Sequence, residues 1–272
     1  ANALARAQSL AAGRYGRSGY FGGSQGGWVA PLAAQRSKAD FVAVGFGLVA
    51  SPVEEDRDQM LNEASELGLT DADLKLLRRL SDATALLVTS GFKTGYKELA
   101  AVKHQIEPKP WASKISGEYS GDMMRMSEAE LRRIGRPLFD NVELIWDYDA
   151  IASLKRLKQP LLWILAGDDR EAPIAGTQKA LDGLIRAGQP IDLYMFPQTD
   201  HGMFEYRQDT DGNRSVTRIT NGYLRLLADW MIVVWIGVAL SGAGALLAAA
   251  SIAVERRHRV PRPGAPADGV PV

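Results

Sequence analysis

The sequence predicts an α/β fold built on a parallel sheet, and three observations carry that expectation. Short apolar runs of strand length alternate with helical segments. A glycine-rich turn around Ser24 lies between one such run and a helix, and an aspartate and a histidine each follow directly on later runs. Strands alternating with helices argue for a sheet covered on both faces. Composition agrees, since 46% hydrophobic and 24% charged residues in a 272-residue chain read as globular. A net charge of zero provides no basic field for nucleic acid, and the absence of cysteine excludes disulfides and thiolate chemistry. No metal-ligand spacing, P-loop or dinucleotide fingerprint occurs, so neither metal nor cofactor is expected.

Taken in order, residues 1–12 read as the end of a helix stopped by Gly13. Ser18 to Gly22 is a short buried strand, Trp28 to Gln35 a helix, and Phe41 to Phe46 a second apolar strand. From residue 53 to 147 the character changes. A charged helix runs from Pro52 to Leu67, and Thr70 with Asp73 caps an amphipathic helix reaching Ser90. A further helix spans Thr94 to Ile106, and Ser127-Glu128-Ala129-Glu130 is a capping box opening a short one. No strand alternation interrupts this block, so it reads as a helical insertion. Strand signals return at Pro160 to Ala166 and at Ile191 to Phe196, with a helix from Thr177 to Ala187 between them. Val216, Ile219, Tyr223, Leu226, Leu227 and Trp230 fall at helical spacing and predict a closing amphipathic helix.

The stretch Gly22-Gly23-Ser24-Gln25-Gly26-Gly27 has the form G-x-S-x-G. A serine on a tight strand-to-helix turn takes a strained backbone, and its neighbours need almost no side chain. The following helix then points its first N–H groups at an oxyanion formed on the serine's substrate. Such a serine requires a base and a carboxylate to orient the base. Of the three histidines, His104 lies in the helical insertion and His258 in a basic run, whereas His201 follows a strand in Phe196-Pro197-Gln198-Thr199-Asp200-His201-Gly202. For the acid, Gly167-Asp168-Asp169 follows the strand ending at Ala166. Both loops lie at strand C-terminal ends, where sites sit in open α/β sheets.

Together these three motifs resemble the α/β-hydrolase superfamily, in particular its esterase and prolyl-oligopeptidase-like members. The resemblance covers residues 1–47 and 155–230 and implies a catalytic triad of Ser24, Asp169 and His201. Asp169, four residues before Pro173, is preferred to Asp168 on the family's pattern; Gly23 stands where many members carry histidine. The implied chemistry is acyl transfer to water, with the backbone N–H of Gln25 as one oxyanion donor. Five segments follow: 1–50 and 151–230 as hydrolase core, 51–150 as a helical lid, 231–254 as a transmembrane helix, and 255–272 as a basic, then Pro/Gly-rich disordered tail. Because family sheets have about eight strands, the chain reads as lacking its N-terminal half, and with it a second oxyanion donor.

Met231 to Val254 holds 24 residues without a charge. As a helix it would be about 36 Å long, enough for a hydrocarbon core. Arg256, Arg257 and Arg259 would then favour a cytoplasmic C-terminus, leaving the hydrolase domain outside; without a true span a cytoplasmic location is expected. Trp111, Met123, Met124, Met126, Phe139 and Trp146 offer either a soft lid over an acyl pocket or ordinary core packing. Trp28 is open to the same two readings, and Trp28 and Trp146 are the candidate substrate contacts. The expected substrate is a small ester or amide. The alternatives are a serine peptidase on small peptides and a catalytically silent, membrane-tethered binding module.

Overall fold

The computed structural model describes residues 2–240, with side-chain exposure through residue 233. The chain divides into two units, residues 1–224 and 225–272. Within the first, four strands form a parallel sheet in the order β1 (Tyr20–Gly23), β2 (Val42–Gly45), β3 (Leu161–Ala166) and β4 (Ile191–Phe196). The central strands β2 and β3 are buried at every position, which is why they read as continuous apolar runs without alternation.

Helix α1 (Asn2–Ala11) precedes β1, and α2 (Gly26–Gln35) follows it directly. One core gathers Leu4, Trp28, Ala34, Val42, Val44, Leu161, Trp163 and Leu181 around the sheet. Between β2 and β3 the insertion is helical throughout: α3 (Pro52–Glu66), α4 (Asp71–Thr89), α5 (Tyr96–Ile106), α6 (Ser120–Arg125), α7 (Glu128–Glu130), α8 (Arg136–Phe139) and α9 (Ala150–Arg156). The expected starts are set by caps. Ser51 and Glu54 form one capping box, Ser127 and Glu130 another, and the Thr70 hydroxyl accepts from the N–H of Asp73. The insertion has its own core, including Met60, Leu80, Leu87, Ile106, Met123 and Trp146.

One carboxylate ties the insertion together. Asp56 on α3 is fully buried and accepts from the N–H groups of Tyr119 and Ser120 at 2.9 and 3.0 Å and from the Ser120 hydroxyl at 2.5 Å. Burial still raises its pKa, although these hydrogen bonds work to lower it. Glu63, two turns further along α3, accepts from the N–H of Ser116 at 2.7 Å. The loop carrying Glu118 is therefore fastened to α3 at both ends.

After α10 (Ile174–Arg186) and β4 the structure departs from the sequence expectation. Residues 214–219 are not part of the closing helix. They form β7 (Arg214–Ile219), which pairs antiparallel with β6 (Phe204–Gln208), itself paired with β5 (Thr199–Asp200). Val216 and Ile219 are 63% and 46% exposed, so only the later part of that spacing, where Tyr223 and Trp230 are buried, marks a helical face. The β-branched run Val216, Thr217, Ile219 suits an extended ribbon. Helix α11 (Tyr223–Leu240) begins only at Tyr223. Among the described residues no helix is long and apolar enough to cross a membrane. Residues 241–254 of the expected span and the tail 255–272 lie outside the described residues.

Candidate active site

Ser24 stands on the turn joining β1 to α2 with φ at +51°, a left-handed value that non-glycine residues rarely adopt. Its own N–H donates to the carbonyl of Gly45 at 3.1 Å, and its carbonyl accepts from the N–H of Gly27 at 2.8 Å. Both bonds hold the strained residue in place. The flanking glycines are required by space. A Cβ on Gly22 would lie 2.6 Å from the Cα of Gly26, and one on Gly23 would lie 2.4 Å from the Phe46 ring. A side chain at Gly22 would push the elbow open against the backbone of Gly26, whereas one at Gly23 would displace the Phe46 ring.

His201 begins a short turn after β5, and its Nε2 lies 3.2 Å from the Ser24 Oγ. On the other side of the ring Nδ1 lies 2.9 Å from Oδ2 of Asp169 and 3.1 Å from Oδ1. With Nδ1–H donating to the carboxylate, Nε2 is left to accept from the serine hydroxyl, the tautomer that the contacts favour. The Asp169 side chain is 1% exposed, and its Oδ1 also accepts from the N–H of Ala172 at 2.7 Å. The Phe46 ring and the imidazole pack in a T-shaped pair with centroids 5.0 Å apart, limiting the imidazole's freedom. The structure thus brings Ser24, Asp169 and His201 together from three separate loops.

Charge around His201 is negative. Burial disfavours the imidazolium, but the hydrogen bond and charge of Asp169, joined by Glu171 and Glu55, outweigh it and raise the pKa above the ordinary histidine value. Glu55 on α3 is itself pushed up to about 8, chiefly by burial and then by the charge of Glu118. Glu118 is raised by burial, then by Glu171 and Asp56. These three carboxylates were not singled out from the sequence. Only the fold brings α3, the loop before α6 and the loop after β3 to one place, so no local motif could reveal them.

The residues beside the acid and the histidine are joined by the β6–β7 ribbon. Arg214 donates from Nη1 to the carbonyl of Asp168 at 2.5 Å and pairs with Asp200 Oδ2 at 2.8 Å. Tyr206 donates its hydroxyl to Asp168 Oδ2 at 2.6 Å, and the Arg214 guanidinium lies 4.0 Å above the Tyr206 ring. Burial alone would raise the pKa of Asp200, yet the bonds from Arg214 and from the N–H groups of His201 and Arg170 hold it below the usual range.

The remaining expected residues stand as follows. Gln25 precedes the first turn of α2, and its N–H has no backbone acceptor among the described residues. Trp28 is 6% exposed in the sheet core and donates its indole N–H to the carbonyl of Ala50 at 2.8 Å. Trp146 is 7% exposed in the insertion core, where its indole N–H donates to Asp140 at 2.9 Å. Neither tryptophan has a described contact with Ser24 or His201. Asp168, the acid passed over, lies in the Arg214–Tyr206 network. His104 sits in the last turn of α5, and His258 lies outside the described residues. No group of metal-ligating side chains that could hold an ion occurs among the described residues.

No protein-family model matches the chain, and no curated protein matches it significantly. Among solved structures it is similar to a monoacylglycerol lipase of Paleococcus ferrophilus, at 20% identity over 85% of this chain and 74% of that one, with a TM-score of 0.39. It is also similar to a proline iminopeptidase of Mycobacterium smegmatis, at 14% identity over 85% of this chain and 68% of that one, with a TM-score of 0.38. The site, with a serine elbow after β1, a carboxylate after β3 and a histidine after β4 of a parallel sheet, follows the chain order of an α/β-hydrolase.

Proposed function

We propose that this chain carries the catalytic triad of a serine hydrolase of the α/β-hydrolase type, acting on a small carboxylic ester through an acyl-enzyme. The observation that carries the proposal is the continuous line from Ser24 Oγ to His201 Nε2 at 3.2 Å and from Nδ1 to Asp169 at 2.9 Å. In this reading His201 takes the hydroxyl proton onto Nε2 as the Ser24 oxygen adds to the substrate carbonyl. Asp169 holds the ring so that Nε2 faces the serine and stabilises the imidazolium. The proton then passes to the leaving group as the acyl bond to it breaks. Water, activated by the same histidine, releases the acid and restores Ser24.

The N–H of Gln25 is the first oxyanion donor in this scheme. One such donor contributes about 3 kcal/mol of transition-state stabilisation. Two features support Gln25 in that role, its place at the start of α2 and the lack of a backbone acceptor for its N–H among the described residues. The helical insertion acts as the lid, and what supports this is Glu55 of α3 lying close enough for its charge to act on His201. Trp28 and Trp146 take packing roles, since both indole N–H groups are satisfied internally.

The test is labelling with a fluorophosphonate probe, with Ser24→Ala as control. Label on Ser24 in the parent chain and none in the variant supports the proposal. A folded parent chain that stays unlabelled removes Ser24 as a nucleophile and favours a binding module.

A further inference from the structure

Nε2 of His201 has two oxygen neighbours, not one. Besides the Ser24 hydroxyl at 3.2 Å, Oε1 of Glu171 lies 3.3 Å away. The triad chemistry has no use for a second carboxylate at this atom. Nδ1 is already occupied by Asp169, and Nε2 must give and receive its proton on the serine side. Glu171 follows Asp169 in the loop after β3, and its side chain is 53% exposed against 17% for His201. It therefore reaches the imidazole from the solvent side. The other ionisable groups facing His201 are Asp169 beneath it, Glu55 from α3 and Glu118 from the loop before α6. Of these, the structure gives only Glu171 a direct contact with Nε2.

Resting on the serine-hydrolase reading, we propose that Glu171 is a positioning residue that binds the Nε2–H of the protonated imidazole and draws it off Ser24. It thereby sets the lower limit of the pH range in which the serine is activated. When His201 is neutral, Nε2 carries a lone pair that repels the carboxylate and accepts the Ser24 hydroxyl proton. When His201 is charged, Nε2–H becomes a donor with a choice between a neutral hydroxyl and an anion. The anion is the stronger partner. The resting acid form is thus held unproductive by Glu171 as well as by the loss of the base. The raised pKa of His201 agrees with the geometry, since Glu171 contributes to it.

The experiment compares the parent chain with Glu171→Gln and Glu171→Lys. The rate of fluorophosphonate labelling at Ser24 is followed from acid to alkaline pH, and His201 is titrated by NMR with its resonance assigned by difference from a His201→Gln variant. For a half-exposed partner, Glu171→Gln is expected to move the acid limb and the His201 midpoint down together by about 0.5–1 pH unit. Glu171→Lys moves both further. The gap from the parent narrows in about 1 M salt, where exposed charges are screened. A purely structural role for Glu171 moves rate without moving the midpoint. Superimposable titrations of parent and variants overturn the proposal. Absence of labelling in the parent chain overturns the hydrolase reading instead, and the NMR midpoint still decides the role of Glu171.

Discussion

Replacing Glu55 by glutamine should stabilise the protein, and by an amount that grows with pH. The Glu55 carboxyl is raised from 4.5 to about 8, first by burial and then by Glu118, with Glu171 and Asp169 adding to the repulsion. Below pH 4.5 the group is protonated in both folded and unfolded chains and distinguishes nothing. From 4.5 to about 8 the unfolded chain releases a proton that the folded one retains, so stability falls as pH rises. Above about 8 both forms are ionised and the penalty is constant. Each pKa unit is worth about 1.4 kcal/mol, which sets a ceiling of about 5 kcal/mol, and the partial exposure of Glu55 reduces this to about 3 kcal/mol. For a unit of this size that corresponds to about 6–12 °C in Tm. Glutamine keeps the shape of the protonated acid and never ionises. Melting curves of parent and Glu55→Gln, taken from pH 4 to 9, should therefore coincide at the acid end and separate steadily toward the alkaline end. A constant difference across that range, or a variant less stable at pH 9, would refute the argument that Glu55 is forced to ionise in a buried, negative place.

Two further changes test the elbow and the acid. Asp169→Asn presents an amide N–H to Nδ1, moves the imidazole proton to Nε2 and leaves no base for Ser24; turnover should fall on the order of 10⁴-fold while thermal stability changes little. A loss under tenfold would place the acid elsewhere. Gly22→Ala drives a methyl into the backbone of Gly26 at 2.6 Å. It should cost about 1–3 kcal/mol in denaturant unfolding and abolish labelling of Ser24; full labelling would show that the elbow yields more easily than its packing implies.

How much of this was legible in the sequence depends on how local each signal is. The elbow was readable because its physics is confined to six residues: a strained serine needs small neighbours, and Gly22, Gly23 and Gly26 provide them. The strands at 42–45 and 161–166 were readable because complete burial leaves continuous apolar runs. The helical block was readable from its caps at Thr70 and Ser127, whereas the capping box at Ser51 emerged only from the structure. The ribbon β6–β7 was not. Its apolar residues point largely to solvent, so their spacing imitated a helix and no burial pattern contradicted it. The tryptophans offered as substrate contacts illustrate another limit. A large aromatic near a site in sequence is satisfied as well by a core as by a pocket, and both indoles have found internal acceptors. Glu55, Glu118 and Glu171 were out of reach for a different reason, since 116 residues separate the first from the last and only tertiary folding assembles them.

Arg214 has a consequence for how such a chain becomes active while it is being made. All three members of the triad have been synthesised once residue 201 is added, yet the backbone beside the acid and the side chain beside the histidine are both held by a residue that comes thirteen positions later. A nascent chain released from the exit tunnel only as far as the histidine would own every reacting group without the brace that keeps the two loops in register. Competence would then arrive late and abruptly, with the return of the ribbon, after the sheet itself had formed. That delay separates the moment of folding from the moment of reactivity, and confines an activated serine to chains that have grown past Arg214.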